Sequence, residues 1–475
     1  MKVRIIPTSV FFFALLFSPW MRAQDLYVHS TINGKIIYST SNGLSSFNVE
    51  VRGKIELADD DKDVKSMSSD GYLEINKTVF GSKRTLVITP QGNSIKREYY
   101  EGRKQIDFEP EGRKWMSEIM PELVRTTTLG AESRVNRLYK QGGVMAVLSE
   151  ITQLESDYVK AFYANTLMKL PVQAKEYAVV IGKVAETVNS DYYLSEFLQK
   201  NLDKFLTNKE ATDAVFAACG KMESDHYKTV VIKEALQTQT ASPEAVKSIL
   251  MATGKMESDH YKTEVLTSLL KQNNLTESTI SEMINTSKTI GSDYYRSLVL
   301  NKALLKSGLS ATSCTRVLES VKDINSDFYK SDVMNTLLKT KLSADQIKDL
   351  IGISSSIESD HYATQVLNNV LDKQDLSDDA FKSLMDRVAH VSSDYYASTL
   401  LRDALKSDNL DNAKVICVLK AASGIGSDYY ITEVLMEAAT RVKAGDAAIK
   451  EAYHAAAKKI NSGSYYGRAM KAIEN

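Results

Sequence analysis

The ten residues 220–229 read GKMESDHYKT, and residues 254–263 repeat them letter for letter, 34 positions later. The duplicate is the sharpest part of a longer series. A Ser-Asp-aromatic triplet places its aspartate at Asp157, Asp191, Asp225, Asp259, Asp293, Asp327, Asp360, Asp394 and Asp428. Every step is 34 residues except that from Asp327 to Asp360, which is 33. A degenerate tenth copy has Ser464 where the aspartate would stand. A fixed period of this length marks a tandem array of supersecondary units.

Counted from the aspartate, serine stands at −1 in all nine copies. Its hydroxyl is expected to accept a first-turn amide as an N-cap, with Asp against the positive end of the helix dipole. Tyrosine recurs at +2, from Tyr193 to Tyr430, and apolar residues follow at +6, +7, +10 and +11, as in Val265, Leu266, Leu269 and Leu270. These offsets share one helical face and define helix A. Asn274, Gly308, Asp375 and Asn409 at +15 tolerate the left-handed conformation, so helix A is expected to end there. Asn208, Ser242, Thr276, Ser310, Ser343, Ser377, Asp411 and Gly445 then begin helix B, with Pro243 at a first helical position and Ser343/Gln346 as a capping box. Phe381, Leu384, Met385 and Val388 exemplify its apolar face. A hairpin with one greasy side cannot bury it alone, and stacked neighbours can.

The resulting α-solenoid resembles the helical-repeat superhelices of the TPR and HEAT kind. The period equals that of TPR, but the Trp, Leu-Gly, Tyr, Ala and Pro signature of that family is missing, and HEAT units are usually longer. Ser-Asp-Tyr hairpin arrays also look similar to the extracytoplasmic tails of some membrane-bound zinc metallopeptidase sensors. This chain lacks HExxH and membrane spans, so that resemblance implies no peptidase activity here.

Residues 25–110 change period. NVEVRGKIEL (48–57) alternates as a strand, and GYLEI (71–75), TLVI (85–88), IKREYY (95–100) and KQIDF (104–108) continue between turn signals. The fold class expected is α+β, an antiparallel β-meander followed by an α-solenoid. The divisions are a signal peptide (1–23), a β-domain (24–110), a linking helix with a capping hairpin turning at Gly142-Gly143 (111–156), and nine hairpins plus a half-repeat (157–475). Lys2 and Arg4 precede a short apolar run, Ile5 to Phe17, which reads as a secretory leader. The location expected is therefore periplasmic or secreted, with no membrane span after cleavage. Cleavage after Ala23 would leave 56 basic against 60 acidic residues, a balance that gives no bulk attraction to nucleic acid.

Cys219, Cys314 and Cys417 are odd in number and widely spaced, and read as small buried apolar residues. The +1 column is aromatic or histidine throughout: Tyr158, Tyr192, His226, His260, Tyr294, Phe328, His361, Tyr395, Tyr429 and the tenth-copy Tyr465. It reads either as inter-repeat packing or as a ladder gripping an extended peptide or glycan by stacking. The Asp column reads as capping, with a bond from a tyrosine hydroxyl of the adjacent repeat as a further expectation. Glu223, Asp225 and His226 stand too far from Glu257, Asp259 and His260 to share one ion. Asp59, Asp61 and Asp63 imitate the start of a Ca²⁺ loop, but Val64 stands where glycine is needed, so a solvated hairpin turn is expected. No catalytic motif, cofactor or metal site is visible. The function expected is a non-enzymatic scaffold for a protein, peptide or glycan. The alternatives are an enzyme sited in the β-domain or at its junction, or a structural envelope spacer.

Overall fold

The computed structural model describes residues 28–32, 35–41, 43–238, 241–273, 275–306, 309–407 and 410–474. The expected leader lies outside them, as do Asn274, Gly308 and Asn409. The chain divides into two compact units, Met1–Phe205 and Leu206–Asn475.

The first unit begins with strands β1 (Val28–Ile32), β2 (Lys35–Ser41), β3 (Ser45–Arg52), β4 (Ile55–Leu57), β5 (Val64–Met67), β6 (Tyr72–Val79), β7 (Ser82–Gln91), β8 (Ser94–Glu101) and β9 (Lys104–Ile106). Seven make an antiparallel sheet in the order β1-β2-β3-β6-β7-β8-β9, and β4-β5 is a separate hairpin. Alternation sends Phe47, Val49, Val51, Leu73, Ile75, Leu86 and Ile88 into one core. Helix α1 (Arg113–Thr126) covers that face with Trp115, Met116, Ile119, Met120 and Leu123.

The stretch 48–57 is not one strand. Gly53 takes φ +65 between β3 and β4, and a Cβ there would lie 2.5 Å from Ser68 Oγ. The chain therefore breaks at Gly53 and leaves the sheet as the β4-β5 hairpin before returning as β6.

The tip of that hairpin is not simply solvated. Asp61, at φ 56, receives Arg134 at 2.8 Å and Arg137 at 2.9 Å. Asp63 receives Arg97 at 2.8 Å and Arg113 at 3.4 Å. The acidic loop is thus a clamp joining the sheet, α1 and the next helical segment, α2 (Ala131–Ile151). That segment reverses at Gly142 (φ −151) and Gly143 (φ 63). The reversal brings Arg134 within 2.9 Å of Glu150, a separation that a straight helix would make about 24 Å. The hairpin and its Gly-Gly turn stand as the sequence implied. The unit continues with helices Asp157–Leu167, Tyr177–Thr187 and Asp191–Lys200.

The second unit is helical. Its A helices are Asp225–Thr238, Asp259–Leu269, Asp293–Leu304, Asp327–Leu337, Asp360–Lys373, Asp394–Leu405 and Asp428–Ala444, followed by Gly463–Glu474. Its B helices are Lys209–Cys219, Pro243–Gly254, Glu277–Ser287, Ala311–Lys322, Ala344–Ser354, Asp378–Val388, Asn412–Ala422 and Ala447–Ala457. Each A helix packs on the A helix of the next repeat and each B helix on the next B, giving two layers of tandem hairpins. Val265, Leu266, Leu269 and Leu270 are buried between them, as are Phe381, Leu384, Met385 and Val388.

Helix B starts are capped by side chains as expected, from Asn208 to Asp411, including the Ser343/Gln346 box. In the ninth copy the cap is Asp446, which accepts the Ile449 amide, and not Gly445. Glycine has no side-chain acceptor, and the preceding helix runs on to Ala444. Helix A does not end through a left-handed residue at Asp375, because the left-handed non-glycine residues described are Asp61 and Phe80. At that helix end Lys341 of the preceding repeat donates to Lys373 O at 3.1 Å, and in three other copies a side chain from the following repeat takes the open carbonyls. Gln374 donates to Leu338 O and Thr340 O at 3.0 Å, Gln272 to Leu236 O at 2.7 Å, and Arg441 to Leu405 O at 3.1 Å.

Phe80 and Gly81 form the two-residue β6-β7 turn with φ 47 and 83, and Val79 pairs with Ser82. That mirror-type turn suits Asn-Gly and disfavours an aromatic L-residue. Phe80→Asn is expected to raise unfolding stability by about 1 kcal/mol, read from the urea midpoint. Asp61 and Arg134 have side chains only 16% and 11% exposed. Asp61→Ala is expected to cost about 3 kcal/mol by removing the carboxylate that two arginines share, Arg134 keeping only Glu150 as an ion partner among the described residues; a loss under about 1 kcal/mol would show the clamp to be screened as a surface pair is.

Candidate aromatic binding surface

The start of each A helix carries three consecutive columns with different tasks. The first is the aspartate. Asp259 accepts the amides of Gly291 (3.1 Å) and Ser292 (2.8 Å), the two residues that precede the next A helix. Asp157 holds Asn189 and Ser190 in the same way, Asp225 holds Glu257 and Ser258, Asp293 holds Asn325 and Ser326, and Asp360 holds Ser392 and Ser393. Asp394 holds Gly426 and Ser427, and Asp428 holds Asn461 and Ser462. In the 33-residue copy Asp327 accepts the Ser359 amide at 2.8 Å.

This corrects two expectations. The serine hydroxyl is a weak cap: Ser190, Ser258 and Ser393 meet their third amide at 3.5 Å, and Ser156, Ser292, Ser326, Ser359 and Ser427 make no such bond. The aspartates take backbone amides where tyrosine hydroxyls were expected. The hydroxyls of Tyr261 and Tyr396 lie instead 3.2 Å and 3.4 Å from Nδ1 of His226 and His361.

Three residues after the aspartate stands a buried cation in five copies: Lys160, Lys228, Lys262, Arg296 and Lys330. Lys160 donates to Thr187 O (2.9 Å) and Asp157 (3.0 Å), Lys262 to Thr289 O (2.7 Å), and Arg296 to Ile290 O (2.6 Å). Lys160 and Lys262 tether helix A to the C-terminal end of helix B in their own hairpins, and Arg296 to the end of helix B in the preceding hairpin, where a positive charge suits the dipole. The sequence signal for this tether is a base at +3 in five copies, to which local capping rules assign no role.

Between aspartate and cation come the rings. In the second unit each +1 ring touches the +2 tyrosine of its own repeat and that of the next. His226 lies 5.2 Å from Tyr227 and 5.8 Å from Tyr261, and His260 lies 5.2 Å from Tyr261 and 5.8 Å from Tyr295. The pattern continues through Tyr294, Phe328, His361 and Tyr395 to Tyr429, whose partner in the tenth copy is Tyr465, with centroid distances up to 6.2 Å. Because Asp428 staples Asn461 and Ser462, Gly463 rather than Ser464 takes the aspartate position there, and Tyr465 stands at +2 rather than in the +1 column. Most contacts are edge-on or tilted, the favoured geometry for ring quadrupoles, each worth about 0.5–1.5 kcal/mol. In the first unit Tyr192 meets Tyr193 at 5.1 Å, and Tyr158 makes the same step to Tyr193 at 5.8 Å while packing, half-buried, against the sheet core.

The +1 rings remain open to solvent despite these contacts. Tyr294 is 45% exposed, Phe328 52%, Tyr395 55% and Tyr429 46%, and Tyr192 in the first unit is 50% exposed. The +2 tyrosines are half-buried beneath them. Beside the first rungs, a cleft of about 620 Å³ is lined by Glu223, Asp225, His226, Lys255, Glu257 and Tyr261. Asp225 is engaged there by amides and by Lys228 at 3.4 Å. Cys219 and Cys314 are buried and Cys417 is half-buried, all as free thiols. Burial pushes the Cys219 thiol up to about 12, so it stays protonated and unreactive near neutrality.

No family model and no curated protein matches the chain. A solved structure described as computational design of self-assembling cyclic protein homo-oligomers aligns with 75% of this chain and 97% of its own, at 11% identity and a TM-score of 0.10. At that score the alignment carries no argument.

The aspartate geometry predicts a local lesion. Asp259→Ala is expected to cost about 2 kcal/mol, the loss of hydrogen bonds to a charged acceptor. It should speed hydrogen exchange at Gly291 and Ser292 before any other amide. Tyr295→Phe, which leaves both amides held, is expected to leave the melting curve in place.

Proposed function

We propose that the protein is an exported, non-enzymatic binding scaffold whose ring ladder grips an extended ligand, a peptide or a glycan chain, by stacking. The observation that supports this is the continuous row from His226 to Tyr465, with +1 rings about half open to solvent. Rings needed only for packing between repeats would gain more by being covered. Each exposed Tyr, Phe or His face can stack on an apolar or CH-rich ligand surface, and tyrosine hydroxyls and histidine nitrogens add hydrogen bonds.

The repeat sets the spacing of the grip. Steps of 5.2 and 5.8 Å hold successive column rings no more than about 11 Å apart. A ligand spanning several repeats would meet one principal ring per repeat, so its affinity would build through multivalent contact. Each ring is held between two tyrosines, so binding requires little side-chain ordering.

The test uses the full chain on arrays of extended peptides and envelope glycans, beside the triple variant His260→Ala, Tyr294→Ala, Phe328→Ala. The expected result is a saturable signal that falls at least about tenfold in the variant, roughly the loss of one well-packed aromatic contact, with the far-ultraviolet circular dichroism spectrum retained. Array binding unaffected by the triple substitution would refute the ladder as the binding surface. No array binding by the full chain would favour the spacer role.

A further inference from the structure

A second surface lies at one end of the N-terminal sheet. The sheet topology brings together the β2-β3, β6-β7 and β8-β9 turns. The Phe80 amide donates to Leu44 O at 3.0 Å and the Gly102 amide to Lys83 O at 2.8 Å, which ties the three tips side by side. Their apolar residues face solvent: Phe80 is 79% exposed, Leu44 65% and Val79 39%.

The choice of Phe80 is costly to folding. It occupies a left-handed turn position that asparagine or glycine fills without strain, and it buries almost nothing in return. A residue that breaks a local rule without a gain in packing points to a role outside the fold.

The charges around the tips give that role a chemistry. Lys83, Arg84, Arg103 and Lys104 are exposed at the same end. Arg84 lies 3.9 Å from Glu101, and Lys77 is paired with Glu122, while Glu118 lines the adjoining cleft with Arg84 and Trp115. Lys83, Arg103 and Lys104 form no ion pair among the described residues. The rim is therefore net cationic around an aromatic and aliphatic tip. Apolar side chains that enter the headgroup boundary, flanked by lysine and arginine that meet lipid phosphates, are the features that hold a protein on an anionic bilayer.

We infer that the Leu44/Phe80 end of the sheet docks on an anionic lipid surface, with Phe80 and Leu44 entering the headgroup boundary and Lys83, Arg84, Arg103 and Lys104 meeting phosphates. The inference rests on the first unit alone and does not depend on the ring ladder.

Co-sedimentation of the full chain with phosphatidylglycerol-containing vesicles and with pure phosphatidylcholine vesicles tests it. The wild-type chain is expected to sediment with the anionic vesicles, more weakly as salt is raised, and to stay in solution with the neutral ones. Phe80→Asn is expected to lower anionic-vesicle binding about tenfold while its urea midpoint stays the same or rises, so lost binding cannot be ascribed to unfolding. The pair Lys83→Glu, Lys104→Glu should weaken binding and flatten its salt dependence. Failure of the wild-type chain to sediment with anionic vesicles, equal binding to neutral ones, or undiminished binding by Phe80→Asn would each overturn the proposal. A tip that serves a protein partner would give the first of these results.

Discussion

A single carboxylate holding two backbone amides of the following hairpin is the constraint from which the rest of the helical array takes its order. The amides of Gly291 and Ser292 precede a helix and have no ladder partner of their own. Asp259 supplies one from the repeat before. Hydrogen bonds to a charged acceptor are short and directional. Burial of Val265 or Leu266 gives cohesion but little angular precision. The staple supplies that precision, so each new A helix starts at a defined place on the last. The buried cation at +3 then ties helix A to the far end of helix B, and the side chains of Gln272, Gln374 and Arg441 close the preceding A helix. All these bonds reach one repeat at most.

The ring ladder is a consequence of this registration. The +1 residue follows the staple directly, so rings in successive repeats come within reach of the same +2 tyrosine. The exchange among Tyr, His and Phe at +1 shows what the position demands: a planar ring of moderate size, with the polar atom optional. Phe328 has no polar atom and keeps the same contacts as its neighbours, 5.1 Å to Tyr329 and 5.9 Å to Tyr362.

Much of this was legible from periodicity, and the failures share one cause. Helix starts, the apolar stripes, Ser343/Gln346 and the Gly142-Gly143 reversal follow from local rules, and the structure carries them. The partner of Asp259 lies 32 and 33 residues ahead, and the residue closing the helix at Leu338 is Gln374 of the next unit. A local capping rule credits serine and a left-handed residue with work that neighbouring hairpins perform. Likewise Gly53 reads as one more polar site in an alternating strand until Ser68 is seen against it. The acid-rich tip reads as solvated because its arginines, Arg134 and Arg137, are over seventy residues away.

Bonds that reach forward by a single unit leave the number of units free. A stretch of DNA encoding one period can be copied or lost, and every junction remains a junction of the same kind. The identical decapeptides at 220–229 and 254–263 have the form such a copying event would leave. The row of rings thus resembles a ruler whose graduations can be added one at a time, so selection can tune its reach without redesigning any joint.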